Sequence, residues 1–237
     1  MQIATNTIGR RATDHEMVEE LVALDDRFIV ELGCGAAALT RLIAGRGRGR
    51  RVRAFEIDAV QHAKNLAAGP LANLEFRRGG AEAIACSDAT VDVVCMFKSL
   101  HHVPVSGLPT ALHEVARVLR PGGRLYVAEP VFAGAYNDLI RLFHDEQGVR
   151  QAAFDALVAA VADGWFELEC ETFFRVPVAF RDFAEFEARL IKVTHTEHRL
   201  SPLLHTQVER AFAQHMTAHG ARFEAPMRVD VLRKPLH

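Results

Sequence analysis

No apolar run in the 237-residue sequence approaches the ~18 residues that a membrane-crossing helix needs. The first twenty residues also lack the apolar centre of a secretory signal, so the cytosol is the expected compartment. Cysteine is sparse. Cys34, Cys86, Cys95 and Cys170 stand far apart, with no CxxC pair and no cysteine–histidine spacing of a structural zinc site. Reduced, mostly buried thiols and no bound metal are therefore expected. Charge of one sign is missing too: 28 Lys+Arg face 30 Asp+Glu, and the net charge of −2 excludes a polybasic protein while leaving room for a local basic patch. Internal repeats, low-complexity tracts and linkers are absent. What is present, 49% hydrophobic residues at a length suited to one α/β domain, describes a chain able to bury a sizeable core.

Residues 14–24 place Met17, Val18, Leu21, Val22 and Leu24 on one helical face, with Thr13 or Asp14 available as a cap. A short β-rich run, RFIVELGCG, then ends in glycine and leads into AAALTRLIAG, which has helical spacing. This strand–turn–helix unit recurs. RVRAFEID is followed by AVQHAKNLAA, NLEFRRGG by a short connection, VDVVCMFKSL by LPTALHEVARVL, and GRLYVAEP closes the series. Five strands alternating with helices predict a mostly parallel sheet covered on both faces. Beyond Pro130 the pattern predicts helix over 134–163, with Leu139, Ile140, Leu142, Phe143, Phe154, Leu157, Val158 and Val161 inward. A half-buried strand over 165–176 turns Trp165, Leu168, Cys170 and Thr172 to one side. Helices over 181–193 and 202–219 and a final strand over 228–234 follow. A single domain, 1–237, is expected.

The sharpest feature is the run from Glu31 to Gly35, with glycines at 33 and 35, at the end of the first strand. Glycine lets the backbone turn tightly and lets a ligand approach the main chain, and the following helix presents free N–H groups. Glu56 ends the second strand 21 residues after Gly35, a place from which a carboxylate can accept from both hydroxyls of a ribose. The combination points to a nucleoside-containing cofactor.

These residues resemble the class I S-adenosylmethionine-dependent methyltransferases over roughly 28–130. ELGCG is similar to the family's first motif and FEID (55–58) to its ribose-binding strand. GGAEAIACSDATVDVVCMFKSLHHV (79–103) is similar to its central segment, and HEVARVLRPGGRLYVAEP (113–130) to the approach to its fifth strand. The resemblance implies a Rossmann-like, mostly parallel seven-stranded sheet with helices on both faces and an antiparallel last strand. Residues 1–130 would form the cofactor-binding core, 131–227 the acceptor-pocket helices and sixth strand, and 228–234 the final strand.

It also implies roles. Glu31 and the backbone of Gly33, Cys34 and Gly35 would hold the methionine part of S-adenosylmethionine, and Glu56, with Ile57 beside it, the ribose. Gly80, Ala81 and Glu82 would border the adenine, and Phe97 and Lys98 would lie under the methionine moiety. Ala37 stands where the family usually has a third glycine, which helical geometry there would tolerate. Gly80 stands where the family usually has an aspartate, so Glu82 or water is expected to meet the adenine amino group.

Methyl transfer from a sulfonium is an in-line displacement that asks mainly for alignment and exclusion of water; a hydroxyl acceptor adds the need for a base. His101, His102 and Glu129, at the ends of strands four and five, are the catalytic candidates. Lys98 is expected to pair with Glu129 or to receive an anionic substrate, and Tyr136, Asn137, His144, Asp145, His195 and His198 are candidate groups over the pocket. The spacing of His195 and His198 is compatible with a metal but lacks a third ligand nearby in sequence. Arg10 and Arg11 could fold over the pocket as a flap. The expected reaction is methylation of a small molecule by a monomer or homodimer, with S-adenosylhomocysteine as product. The alternatives are RNA or protein methylation using the basic run Arg46–Arg53, or a non-catalytic cofactor-binding partner. That run precedes the second strand, so it belongs at the sheet end opposite the cofactor.

Overall fold

A computed structural model describes residues 1–5, 7–193 and 198–236. In chain order the elements are α1 (Asp14–Leu21), β1 (Phe28–Leu32), α2 (Ala38–Gly45), β2 (Arg51–Glu56), α3 (Ala59–Ala67), β3 (Leu74–Arg78), β4 (Val91–Phe97), α4 (Leu108–Val118) and β5 (Leu119–Pro130). After these come α5 (Gly134–Ile140), α6 (Gln147–Ala162), β6 (Glu167–Phe180), α7 (Phe183–Phe186), α8 (Pro202–Ala213), β7 (Met216–Thr217) and β8 (Gly220–Arg233). The sheet runs β3-β2-β1-β4-β5-β8-β6, and the two-residue β7 pairs back onto β8. Strands β1 to β5 are parallel, and β8 is antiparallel to both neighbours. The expected seven-strand architecture is present, with β7 as a small eighth.

Local chemistry explains the first half. Thr13 caps α1 in a reciprocal box: Glu16 N–H donates to the Thr13 hydroxyl at 3.2 Å, and Thr13 N–H donates to the Glu16 carboxylate at 2.7 Å. Every residue of β1 is buried, as befits a central parallel strand covered on both faces. Its alternate side chains feed two cores. Val30 and Leu32 join Val94, Met96, Leu112, Val115 and Leu157 beneath α4 and α6, whereas Ile29 joins Met17, Val18, Ile43, Val93 and Val229 beneath α1 and α2.

The second half departs from the sequence expectations in several places. Helix α1 stops at Leu21 because Val22 is already extended, at φ −133°. Leu142 and Val158 are exposed rather than inward. A bulge between Leu168 and Cys170 shifts the register of β6, so Leu168 faces solvent while Phe166 and Phe174 fill the core. The predicted helix 181–193 is the four-residue α7 plus a π-helical turn, Glu187–Ile191. The predicted helix 202–219 ends at Ala213 in a hairpin, where Gly220 adopts φ +87° against the Phe180 carbonyl. Strand β8 starts at Gly220 rather than 228 because it is paired along its length, first by β6 and then by β5 as well. Phe180, Phe186, Phe212 and Phe223 pack as a third core under α8 and are not pocket lining.

Candidate functional site

The carboxyl ends of β1, β2, β4 and β5 meet at the Glu31–Gly35 turn. Gly33 and Cys34 N–H groups both donate to the Phe55 carbonyl at 3.0 Å, folding the turn back against β2. Gly33 has φ +74°, and a Cβ there would stand 2.7 Å from the Ser99 Cβ, so glycine is needed for conformation and for space. Glu56 accepts from Gly35 N–H at 2.8 Å and from Asp58 N–H at 2.9 Å, which holds its carboxylate over the turn. Ala37 is left-handed, at φ +57°, immediately before α2. The helical geometry expected at Ala37 is thus corrected: a non-glycine residue stands in strained backbone where a third glycine would be relaxed.

Glu31 is buried, and its Oε2 has no hydrogen-bond partner among the described residues. Burial pushes its carboxyl up to about 7; the neighbouring Thr40 hydroxyl works against this, and the nearby Glu56 charge adds to it. Burial likewise raises the Cys34 thiol, with Glu31 and Glu56 adding to the shift, so Cys34 is inert as a nucleophile. An orphaned, buried carboxylate oxygen beside a glycine turn and a helix start fits the ammonium end of S-adenosylmethionine. Ile57 is 68% exposed beside the turn. Glu82 fills the space of the missing aspartate: a Cβ on Gly80 would lie 2.7 Å from Glu82 Oε2. Ala81 and Phe97 are buried in the adjoining wall, Phe97 tilted on Tyr126 at 5.3 Å between ring centroids.

Lys98 does not pair with Glu129. Its backbone is left-handed, at φ +54°, and its ammonium donates to Asp14 Oδ2 at 2.6 Å, because the turn after β4 aims the side chain towards α1. Glu129 instead accepts from Leu100 N–H at 2.9 Å and bonds His101 Nδ1. His101 Nε2 lies 3.4 Å from Glu146 Oε1, and Arg150 donates to Glu146 Oε2 at 2.5 Å and to Asn137 Oδ1 at 3.0 Å. Burial lowers the affinity of His101 for a proton, but the Glu129 charge and the bonds to Glu129 and Glu146 outweigh it and raise its pKa to about 9. Glu146 is held well below the carboxylate range because His101 and Arg150 overcome its burial. An imidazole held this way orients its neighbours. His102 is exposed on the same turn.

A cavity of about 430 Å³ opens beside this cluster, its polar end formed by Lys98, His101, His102 and Glu146 and its walls by residues such as Ile140 and Val178. Tyr136 and Asn137 line it, while Asp145 caps the start of α6 through Gln147 N–H at 3.0 Å. His144 bonds Glu146 Oε1 at 2.8 Å. His195 lies outside the described residues, and His198 packs edge-on against His144 at 4.7 Å. The sequence reading missed Glu146 and Arg150, whose only signal was their nearness to His144. Arg10 and Arg11 form no flap: they pair with Glu20 and Glu224, and Ala12 N–H donates to the Arg175 carbonyl at 3.1 Å, tying the segment to β6.

Residues 29–123 match the model of a family described as a methyltransferase domain. An uncharacterized methyltransferase of Mycobacterium tuberculosis is 32% identical over 118 residues, 49% of this chain and 45% of that protein. An O-methyltransferase of Penicillium expansum is 29% identical over 136 residues, 55% of this chain and 47% of that protein. The chain thus spans about half the length of these curated relatives. The crystal structure of a putative methyltransferase from Bacillus halodurans shares the fold, with a TM-score of 0.65 at 18% identity over 94% of this chain and 99% of that one. Over residues 29–123 the chain is thus similar to a methyltransferase domain, and its strand order is that of the fold it shares with the Bacillus structure.

Proposed function

We propose that the protein transfers the methyl group of S-adenosylmethionine to a small molecule seated in the cavity beside His101 and His102. The observation that carries this reading is the unpartnered Glu31 oxygen at the glycine turn; a cavity large enough for a small acceptor opens at the turn after β4, lined by Lys98, His101 and His102. When bound, the cofactor supplies an electrophilic methyl on a sulfonium and leaves as a neutral thioether.

The chain's own residues do the rest. Glu31 receives the ammonium of the methionine part, and Glu56 exchanges its amide contacts for the ribose hydroxyls. The α2 amino terminus and the Gly33–Gly35 backbone cradle the chain between them. Glu129 fixes His101 through Nδ1, which shapes the polar end of the acceptor cavity, and His102 stands ready to take the proton of a hydroxyl acceptor. The relative from Penicillium, an O-methyltransferase, favours an oxygen acceptor. The apolar walls exclude water from the displacement.

Two measurements test the reading. S-adenosylhomocysteine should raise the melting temperature of the parent protein but not of Glu56→Ala, and absence of a shift in the parent sinks it. Methyl-labelled S-adenosylmethionine offered with fractionated metabolites should label a small-molecule fraction. Cofactor binding without any labelled product would instead indicate a non-catalytic partner.

The nucleic-acid alternative is disfavoured by the arginine run itself. Arg48 bonds Asp26, Arg50 bonds Glu19 and Asp25, Arg53 bonds Glu75, and Arg51 stacks on Phe28, so these cations are turned to the protein's own groups. RNA retention lost on neutralising Arg46, Arg48, Arg50 and Arg51 would revive it.

A further inference from the structure

Three separated stretches of chain bring imidazoles and a carboxylate to one point at the polar end of the acceptor cavity. The turn after β4 supplies His101 and His102, the connection between α5 and α6 supplies His144 and Glu146, and the segment before α8 supplies His198. One ligand-type atom each of His101, His102 and Glu146 lies within 4.8 Å of the other two. His101 Nε2 and Glu146 Oε1 are 3.4 Å apart, close to the roughly 3.3–3.5 Å that separates two atoms bound at ~2.0–2.2 Å to one tetrahedral ion.

In both residues the other polar atom is already committed. Glu129 holds His101 Nδ1 and itself accepts from Leu100 N–H, and Arg150 holds Glu146 Oε2. A carboxylate that fixes the far nitrogen of an imidazole is the outer-shell arrangement that aims metal-ligating histidines. Arg150 leaves Glu146 only one oxygen to give, which makes it a monodentate ligand. His144, whose Nε2 lies 2.8 Å from that same oxygen, is near enough to become a fourth ligand after a rotation of its ring.

We propose that His101 Nε2, His102 and Glu146 Oε1 bind one first-row divalent cation, of the zinc, manganese or ferrous type, at the polar end of the acceptor cavity. Two imidazoles and one carboxylate suit such ions better than magnesium or calcium, which prefer oxygen ligands throughout. Three protein ligands leave a position open towards the cavity, and there the ion takes an acceptor through a hydroxyl or carboxylate oxygen; with the ion bound, its charge activates a hydroxyl in place of the base role of His102. That role for the ion rests on the methyltransferase reading; the binding of the ion does not. The ion was not expected from the sequence, because its ligands are 44 positions apart, from His102 to Glu146, and share no spacing motif.

Cobalt(II) is the probe. Full-length protein stripped with chelator and titrated with Co²⁺ should develop visible absorption bands that saturate at one ion per chain and are displaced by Zn²⁺. His102→Ala, an exposed position, should bind Co²⁺ at least tenfold more weakly while keeping its thermal response to S-adenosylhomocysteine, so that loss of fold is not the cause. Glu146→Gln should weaken binding as well. No saturable one-to-one spectrum in the parent, or the same affinity in His102→Ala, overturns the site. The titration contains no cofactor, so its failure leaves the methyltransferase reading untouched, whereas a missing S-adenosylhomocysteine shift in the parent strikes that reading alone.

Discussion

The two ends of the sheet carry similar charged residues and use them in opposite ways. At the amino ends of the strands, cations meet carboxylates in closed sets. Arg50 is buried and bonds Glu19 at 2.5 Å, Asp25 at 2.9 Å and the Ile43 carbonyl at 3.1 Å, while Arg53 takes Glu75 and Arg120 takes Asp92. At the carboxyl ends, Glu31 has an oxygen without a partner, Glu56 leans on backbone amides, and Glu129 and Glu146 converge on one imidazole. Satisfied charges hold the connections between strands and helices. Charges left incomplete mark where a ligand completes them, because a buried polar group without a partner is costly unless something binds it.

The comparison breaks if the two ends respond alike to substitution. Glu56→Ala should weaken S-adenosylhomocysteine binding at least a hundredfold by calorimetry, since two hydrogen bonds to a charged acceptor amount to about 3 kcal/mol or more. Its urea midpoint should change little. Arg50→Ala should do the reverse, lowering unfolding stability by about 2–3 kcal/mol in urea titration, because Glu19 and Asp25 lose their shared cation, while cofactor affinity holds. Equal loss of affinity in both variants would dissolve the distinction.

A subtler check uses pH. With a folded pKa of about 7 against 4.5 in the unfolded chain, the native Glu31 keeps its proton between those values, where the unfolded chain has lost it. The ligand-free protein should therefore lose stability as pH rises from about 4.5 to 7. Cofactor binding needs the ionised carboxylate, so affinity should be about eightfold weaker at pH 6 than at pH 7.5, and Glu31→Gln should flatten that dependence. The smallest effect belongs to Arg48→Gln: its pair with Asp26 is exposed, and neither the melting temperature nor RNA retention should move measurably.

Much of the half up to Pro130 was legible in the sequence. Strands β1, β2 and β4 have patterns of apolar residues that only a covered parallel sheet satisfies, and the Gly33 turn and Glu56 sit at strand ends whose order follows from those patterns. The half after Pro130 was harder to read because its elements are set by contacts distant in sequence. The bulge near Leu168 exists because β6 pairs with β8 some sixty positions later, and the hairpin after α8 exists because Gly220 must pass the Phe180 carbonyl. Lys98 was misassigned for a similar reason. Its neighbour in the fold is Asp14, 84 positions earlier, where the sequence offered only a helix cap.

The sequence by itself determined the alternation of strands and helices, the glycine turn with its spaced carboxylate, and the resemblance to a methyltransferase domain. Each of these is written in short-range periodicity or in residues close together along the chain. Only the tertiary structure decided which charges are spent and which are open. It paired arginines of the run with Glu19, Asp25, Asp26 and Glu75, placed Glu146 of the α5–α6 connection against His101 of the β4 turn, and left one oxygen of Glu31 without a partner among the described residues. A side chain's charge is fixed by its chemistry, but its partner is fixed by packing, and packing joins residues that the sequence keeps far apart.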